Sequence, residues 1–410
     1  MNWNNTYRFY LIFIIVILIP FQVKLISIPI IAYILLAVIQ KDFLRNLSSR
    51  IFSFPLLMCL LFYLFHVVGM IWTQNNSAGL FDLQVKLSLI IFPLFFLSER
   101  SWSKLELNIF NRSFLVSSII AMIICLIRAI YRYDYIGESA FYYKEFSFFV
   151  HPSYFSMYLC FSIAILINDF IRTKDMISWS ILPVIMTMMV VCVGIFLLSS
   201  KAGILILATI LLCFLLILLI KRYYRKLMLV AFFIVFGGFI ISLTSNTGIE
   251  RMSIFISSMT TRSDNSMEST AARMFIWSTS KDIISENPII GVGTGDVNRV
   301  LEQAYLNEGE SELASKSLNA HNQFIQSSIA LGFLGLSILV LLFTSMFVIS
   351  WRREFFLGFV FTLIITTNAF VESIFEVQAG VLFFSLFLIL LFGYRNQNYP
   401  LTYSVKLNNE

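Results

Sequence analysis

His321 is one of three histidines in 410 residues. It opens the stretch HNQFIQSSIALGFLG, His321 to Gly335, where the one long polar segment of the chain runs back into apolar sequence. Imidazole is the side chain whose ordinary pKa lets it take or give a proton near neutral pH. At the mouth of an apolar segment, below a large polar loop, it is placed for general-base work on a hydroxyl. Other ionisable residues hold comparable positions. Lys201 sits in Ser199-Ser200-Lys201-Ala202-Gly203, between two apolar runs, and Arg273 lies in the polar segment ahead of His321. Glu372 and Glu376 bracket the turn between the last two runs, and His151 opens another run as His151-Pro152-Ser153-Tyr154. One histidine, two cations and a carboxylate point to an anionic substrate. Lysine and arginine would hold diphosphate oxygens and stabilise charge on a leaving group. No metal site and no cofactor is expected.

Each of these residues has a plainer reading beside the chemical one. Lys201 can snorkel to an interface, as lysines near helix ends do. Arg273 can be a solvated helix residue, Glu372 a cap or the partner of a basic group, and His151 an aid to the start of its segment. For His321 the plain alternative is an interfacial N-terminal residue. His66, alone inside an apolar run, reads as a packing histidine.

The elements that must carry these groups are hydrophobic. Hydrophobic residues make up 59% of the chain and charged ones 13%, the mean hydropathy is +0.85, and there are 43 Phe. A soluble domain could not keep that much apolar surface from water. A membrane-crossing helix needs roughly 20 residues, and apolar runs of about that size recur. The chain therefore reads as all-α and polytopic, with about twelve spans near 8–22, 25–39, 52–72, 82–97, 113–131, 153–171, 177–199, 202–220, 227–244, 321–349, 354–372 and 377–394. The first two are short and meet near Pro20 to Pro29, so one re-entrant hairpin is an alternative; no cleavage site marks the first as a signal peptide. The domain organisation is then helices 1–9 over 1–244, a large loop over 245–320, helices 10–12 over 321–395 and a tail over 396–410. With the N-terminus inside, seventeen of the 29 Lys and Arg fall in cytoplasmic segments and six in the external segments other than the long loop. The positive-inside rule puts both termini in the cytoplasm and the 245–320 loop outside. The same bias accounts for a pI near 9.0 without a nucleic-acid partner. The five cysteines all fall within spans, with no metal-ligand spacing, and read as apolar packing residues.

The loop reads as structured. Asn265 and Glu268 are spaced as a capping box for a helix to about Glu286, stopped by Asn287-Pro288. Arg273, Trp277 and Lys281 share one face of it. A second helix runs from Val297 to Asn307, with Asp296 as N-cap, Gly309 as stop, and Val297, Val300, Leu301, Ala304 and Tyr305 as its apolar face. The pair would suit a lid at the membrane interface. Between them, Gly291-Val-Gly293-Thr-Gly295-Asp296 is either a tight connecting turn or a set of N–H groups facing phosphate. No strand precedes it, which argues against a nucleotide site.

His321-Asn322, nine residues, then Gly332-Phe-Leu-Gly335 resembles the H-[N/S]-x9-G-x-x-G signature of the O-antigen ligase family. Three further features are similar to that family: Ser200-Lys201-Ala202-Gly203 at an external turn, Arg273-x3-Trp277 in the large loop, and the Asn287-Pro288 glycine run. The likeness in order and topology covers about 190–380. It implies a GT-C-like, metal-independent inverting glycosyltransferase of the bacterial inner membrane with its active site on the periplasmic face. The donor would be a glycan on undecaprenyl diphosphate and the acceptor a lipid A–core, as in lipopolysaccharide biosynthesis, or another lipid-linked chain. By the same resemblance His321 is the essential histidine and Arg273 the essential loop arginine, while Lys201 stands where many members carry arginine. Lysine keeps that charge but not the bidentate fork. Asn322, Trp277, Gly293, Gly295, Glu372 and His151 are expected near the substrate, with Glu372 orienting His321 or a cation.

Two alternatives remain at this point. A polymerase of the same family would use a carrier-linked chain as acceptor; one dominant external loop favours the ligase. A transporter or flippase of lipid-linked sugars would spread polar groups through the bilayer depth and pair discontinuous helices. Here the polar groups gather at one face.

Overall fold

The computed structural model describes residues 3–22, 24–39, 53–97, 102–172, 181–220 and 270–393. The expected span 227–244, the Asn265/Glu268 capping box and the 396–410 tail lie outside the described residues. All regular elements among the described residues are helical. In chain order they are α1 (Trp3–Leu18), α2 (Ser27–Val38), α3 (Phe54–Gly69), α4 (Asn76–Lys86), α5 (Ser88–Leu97), α6 (Lys104–Tyr131), α7 (Pro152–Arg172), α8 (Ile181–Leu198), α9 (Lys201–Ile220), α10 (Thr270–Glu286), α11 (Val297–Asn307), α12 (Gln323–Arg352), α13 (Phe356–Val371) and α14 (Gln378–Phe392).

Three helices, Lys104–Ile136, Pro152–Ile171 and Gln323–Arg352, are long and apolar enough to cross a membrane alone. Asn76–Lys86 with Ser88–Phe95 makes a fourth if the pair, bent by 40°, counts as one span. The single span expected at 82–97 is thus a bent pair, broken at Leu87. Shorter apolar helices stand at the other expected positions among the described residues. Outward faces are apolar, as hydrocarbon surroundings require: α6 exposes Val116, Ile120, Ile123 and Ile127, and α12 exposes Val340, Leu341 and Val348.

α7 is the enclosed centre, packed by α6, α8, α9 and α13, while α12 runs along α3 and α13. Phenylalanines lock the middle. Phe161 on α7 lies 4.7 Å from Phe387 on α14, ring centre to ring centre, and Phe114 on α6 lies 4.9 Å from the same ring. Edge-to-face pairs of this kind contribute about 0.5–1.5 kcal/mol each beyond their buried area.

The loop helices form a second, smaller core. Ile276 and Ile283 of α10, Val297, Leu301 and Tyr305 of α11, and Ile329 to Leu331 of α12 are buried together. The apolar face expected of α11 is the buried one, and Gly309 at φ +84° ends the helix as expected. These faces are spent on each other and on α12 rather than on an interface with lipid. Asp296 does not cap α11 with its side chain. Its carboxylate accepts instead from the N–H groups of Gln74, 2.6 Å, and Asn75, 3.3 Å, pinning the start of α4 to the loop.

The joint between the loop and α12 explains the two glycine motifs. α12 breaks at Gly332, φ 62° and ψ −154°. The break frees carbonyls above it and N–H groups below it, which in an apolar setting must find partners. Residues 288–293 supply them. Val292 N–H donates to Ile329 O, 2.9 Å, and Gly293 N–H to Ala330 O, 3.0 Å; Pro288 O accepts from Phe333 N–H, 2.8 Å. The backbones come so close that a Cβ on Gly332 would lie 2.4 Å from the carbonyl of Ile289.

Candidate active site

His321 is placed by its neighbours before it does anything itself. Asn322 caps α12, its Oδ1 accepting from Phe324 N–H, 2.9 Å, and Ile325 N–H, 3.1 Å. Its Nδ2 donates to Phe370 O, 3.1 Å, and its N–H to Ser373 Oγ, 3.2 Å. Gln323 Oε1 accepts from Phe375 N–H, 2.7 Å. The two residues after His321 therefore tie it to both sides of Glu372, in the turn between α13 and α14. Asn322, expected near the substrate, has its amide occupied in this positioning. His321 itself adopts φ +45°, with its N–H donating to Asn319 Oδ1, 3.0 Å.

Glu372 then joins the imidazole to the guanidinium. Its Oε2 is 3.2 Å from His321 Nδ1, and its Oε1 accepts from Arg273 Nη2 on α10, 3.0 Å. All three side chains are mostly buried, 11% exposed for Glu372 and 16% for the other two. Burial pushes the Glu372 carboxyl up, but the hydrogen bond from His321 and the charges of Arg273, His321 and His151 outweigh it and hold it below the ordinary value. An ionised carboxylate only accepts, so His321 donates to it from Nδ1, which leaves Nε2 as the ring nitrogen that Glu372 does not engage. Nε2 is buried and has no hydrogen-bond partner among the described residues, and the same holds for Arg273 Nε. A hydroxyl and an anion would meet those needs.

His151 lies at the start of α7 within the field of these groups. Desolvation, with Lys144, His321 and Arg273, lowers its pKa against the pull of Glu372. Its Nδ1 is 2.7 Å from Ser153 Oγ. Lys201 begins α9, half-buried, at the same end of the bundle. Gly203 on the next turn approaches Ser156 of α7 so closely that a Cβ there would lie 2.4 Å from the serine Cβ. The charges that bear on Glu372 include Arg273, His321 and His151.

Trp277 Nε1 donates to Ala320 O, 3.0 Å, fixing the residue before His321. In the glycine run, Gly293 N–H is given to Ala330 O and Gly295 N–H to Thr73 Oγ1, 3.3 Å. His66 is the packing residue expected, 2% exposed, with Nδ1 2.9 Å from Phe62 O.

Lys86, Asp82 and Gln323 escaped the sequence reading. Lys86 is 1% exposed, with Nζ 2.8 Å from Glu376 Oε2 and a second bond to Asp82. The signal was available: a lysine in the apolar run Val85-Lys86-Leu87-Ser88-Leu89 must find an anion.

A search of curated proteins returns no match. The family model described as O-Antigen ligase matches residues 184–340, which include Lys201, Arg273, Trp277, the glycine run and His321, and leave out His151, Glu372 and Glu376. Over residues 184–340 the chain is thus similar to the O-antigen ligase family, and the joined glycine motifs and the His321 and Arg273 members of the buried cluster lie within that stretch.

Proposed function

We propose that this protein is a ligase-type glycosyltransferase that moves a glycan from undecaprenyl diphosphate to a lipid A–core acceptor at the periplasmic face of the bacterial inner membrane. The observation that carries the reading is the unpartnered, buried Nε2 of His321 beside an Arg273 that shares its carboxylate. The acceptor hydroxyl gives its proton to Nε2 as its oxygen forms a bond to the anomeric carbon. The bond from that carbon to the diphosphate oxygen breaks, and its electron pair leaves with the diphosphate. Glu372 offsets the positive charge that grows on the imidazole. Arg273 and Lys201 hold the departing diphosphate, with Arg273 oriented by the same Glu372. Attack from the face opposite the leaving group gives inversion. His151 lines the approach of the sugar.

A broken helix is also a feature of transporters. Here the backbone groups freed by the break in α12 are taken up by residues 288–293, which favours a rigid site over a moving one.

The test is the pattern of surface glycolipid in a deletion strain carrying wild-type or His321→Ala protein. Deletion is expected to leave full-length polymer on the carrier and none on the lipid A–core. The His321→Ala variant is expected to insert at normal abundance and transfer about 10²–10⁴-fold more slowly. Near-normal transfer by this variant would sink the reading of the base. Single repeat units on the core after deletion would make the enzyme a polymerase.

A further inference from the structure

Four residues beyond Glu372 lies a polar cluster that the reaction above does not use. The Glu376 carboxylate accepts at Oε2 from Lys86 Nζ, 2.8 Å, and at Oε1 from Gln323 Nε2, 3.4 Å. Lys86 comes from α4, remote in sequence, and bonds also to Asp82 one helical turn earlier. Gln323, fully buried, holds Phe375 N–H with its other amide atom. Burial pushes the Glu376 carboxyl up to about 7, with the Lys86 charge opposing and Asp82 adding to the rise. A buried ion pair is rarely a net gain over apolar packing, which turns attention to what it holds in place.

It holds the turn that carries Glu372. Between the end of α13 at Val371 and the start of α14 at Gln378 the chain makes one 3-10 turn, Ile374–Glu376. Asn322 anchors the near side of that turn at Phe370 and Ser373, and Gln323 with Lys86 anchors the far side at Phe375 and Glu376. We propose that Glu376, clamped between Lys86 and Gln323, is a positioning residue that keeps the Glu372 carboxylate in register with His321 and Arg273. Loss of the far anchor lets the turn relax around Asn322. A displacement of about 1 Å is enough to cost about 10²-fold in rate when reacting groups must be aligned. The inference rests on the proposed roles of His321 and Glu372, and it makes a lysine outside the family match part of the site.

The test uses the full chain in detergent or membranes, with Glu376→Ala and Glu376→Gln each made in the wild-type and Glu372→Gln backgrounds. Glu376→Gln keeps the side-chain length and one acceptor for Lys86 but turns a donor toward Gln323, so it is expected to fall between wild type and Glu376→Ala. One readout needs no turnover: the rate at which diethyl pyrocarbonate carbethoxylates His321, mapped by mass spectrometry. Glu376→Ala is expected to raise that rate about fivefold, the equivalent of loosening the turn by about 1 kcal/mol. The second readout is transfer from carrier-linked glycan extracted from the deletion strain. Glu376→Ala is expected to slow it about 10–100-fold in the wild-type background and less than about twofold in Glu372→Gln, because one pathway cannot be broken twice. Unchanged labelling of His321, or equal fold-losses in the two backgrounds, would overturn the inference. A His321→Ala variant that still transfers glycan would refute the reading of the site instead, and the labelling rate would still decide whether Glu376 positions the turn.

Discussion

The two ends of the stretch from His321 to Gly335 are held by different physics. At the His321 end, side chains do the holding: Asn322 and Gln323 reach across to the Glu372 turn, and a single carboxylate links imidazole to guanidinium. At the Gly332 end, backbone meets backbone, with Pro288 to Gly293 bonded into the gap in α12 and no room for a Cβ. Side-chain contacts can be weakened by degrees and respond to charge. A backbone joint without clearance either closes or does not. The first end is therefore suited to chemistry and the second to fixing where that chemistry sits.

Substitution at the two ends should separate them. Gly332→Val asks a branched residue to adopt φ 62°, ψ −154° and puts a Cβ 2.4 Å from the Ile289 carbonyl. The cost is about 3 kcal/mol or more, and the expected result is little folded protein in membranes, read by immunoblot and size-exclusion profile. A folded, merely slower Gly332→Val enzyme would erase the distinction.

At the other end the response should be graded. Arg273→Ala is expected to lower transfer about 10²–10³-fold in protein of normal abundance. Arg273→Lys keeps the charge without the fork and should recover part of the loss, about tenfold below wild type. At Lys201, Lys201→Arg should retain most activity and Lys201→Ala should lose more. Equal losses for Arg273→Ala and Arg273→Lys would mean that shape, not charge, matters there.

The smallest effect is a pH dependence of stability. Glu372 is held below its ordinary value in the fold. A depressed carboxyl stabilises the folded state above its unfolded pKa, and that stabilisation is lost as pH falls through the folded value. The wild-type unfolding midpoint should thus exceed that of Glu372→Gln at pH 6–7 by on the order of 2 °C, and the gap should close as the pH falls below the ordinary carboxylate range. A gap that widens on acidification would show that Glu372 is not the charged partner of Arg273 and His321.

Much of this molecule could be read before any coordinates, for reasons that differ by element. Apolar runs and periodicity located the helices because burial from water and burial in lipid leave the same one-dimensional trace. α11 was legible to the residue, since its apolar stripe and Gly309 are local signals. The site residues stood out because ionisable groups are rare in such a chain. Their pairings were not legible. Arg273 and Glu372 are 99 residues apart and Lys86 and Glu376 are 290 apart, and no spacing rule spans such distances. Asp296 has the type and place of an N-cap, but the free N–H groups of Gln74 and Asn75 compete for the same oxygens and win. The glycine run was ambiguous for the same reason, because whether its N–H groups face a phosphate or a broken helix depends on what lies opposite.

The break at Gly332 also sets a ruler. From Asn322, which starts α12, to Gly332, where the helix stops and the loop takes hold, nine residues intervene. In a helix each residue advances about 1.5 Å and turns about 100°. With the far end locked by backbone, adding or removing one residue cannot be absorbed there and must appear at His321 as a rotation of about 100°. Such a change swings the imidazole to another side of the helix, away from Glu372. The interval between the histidine and the glycine is thus a phase setting, and a one-residue insertion between them silences the site while every side chain that forms it is still present.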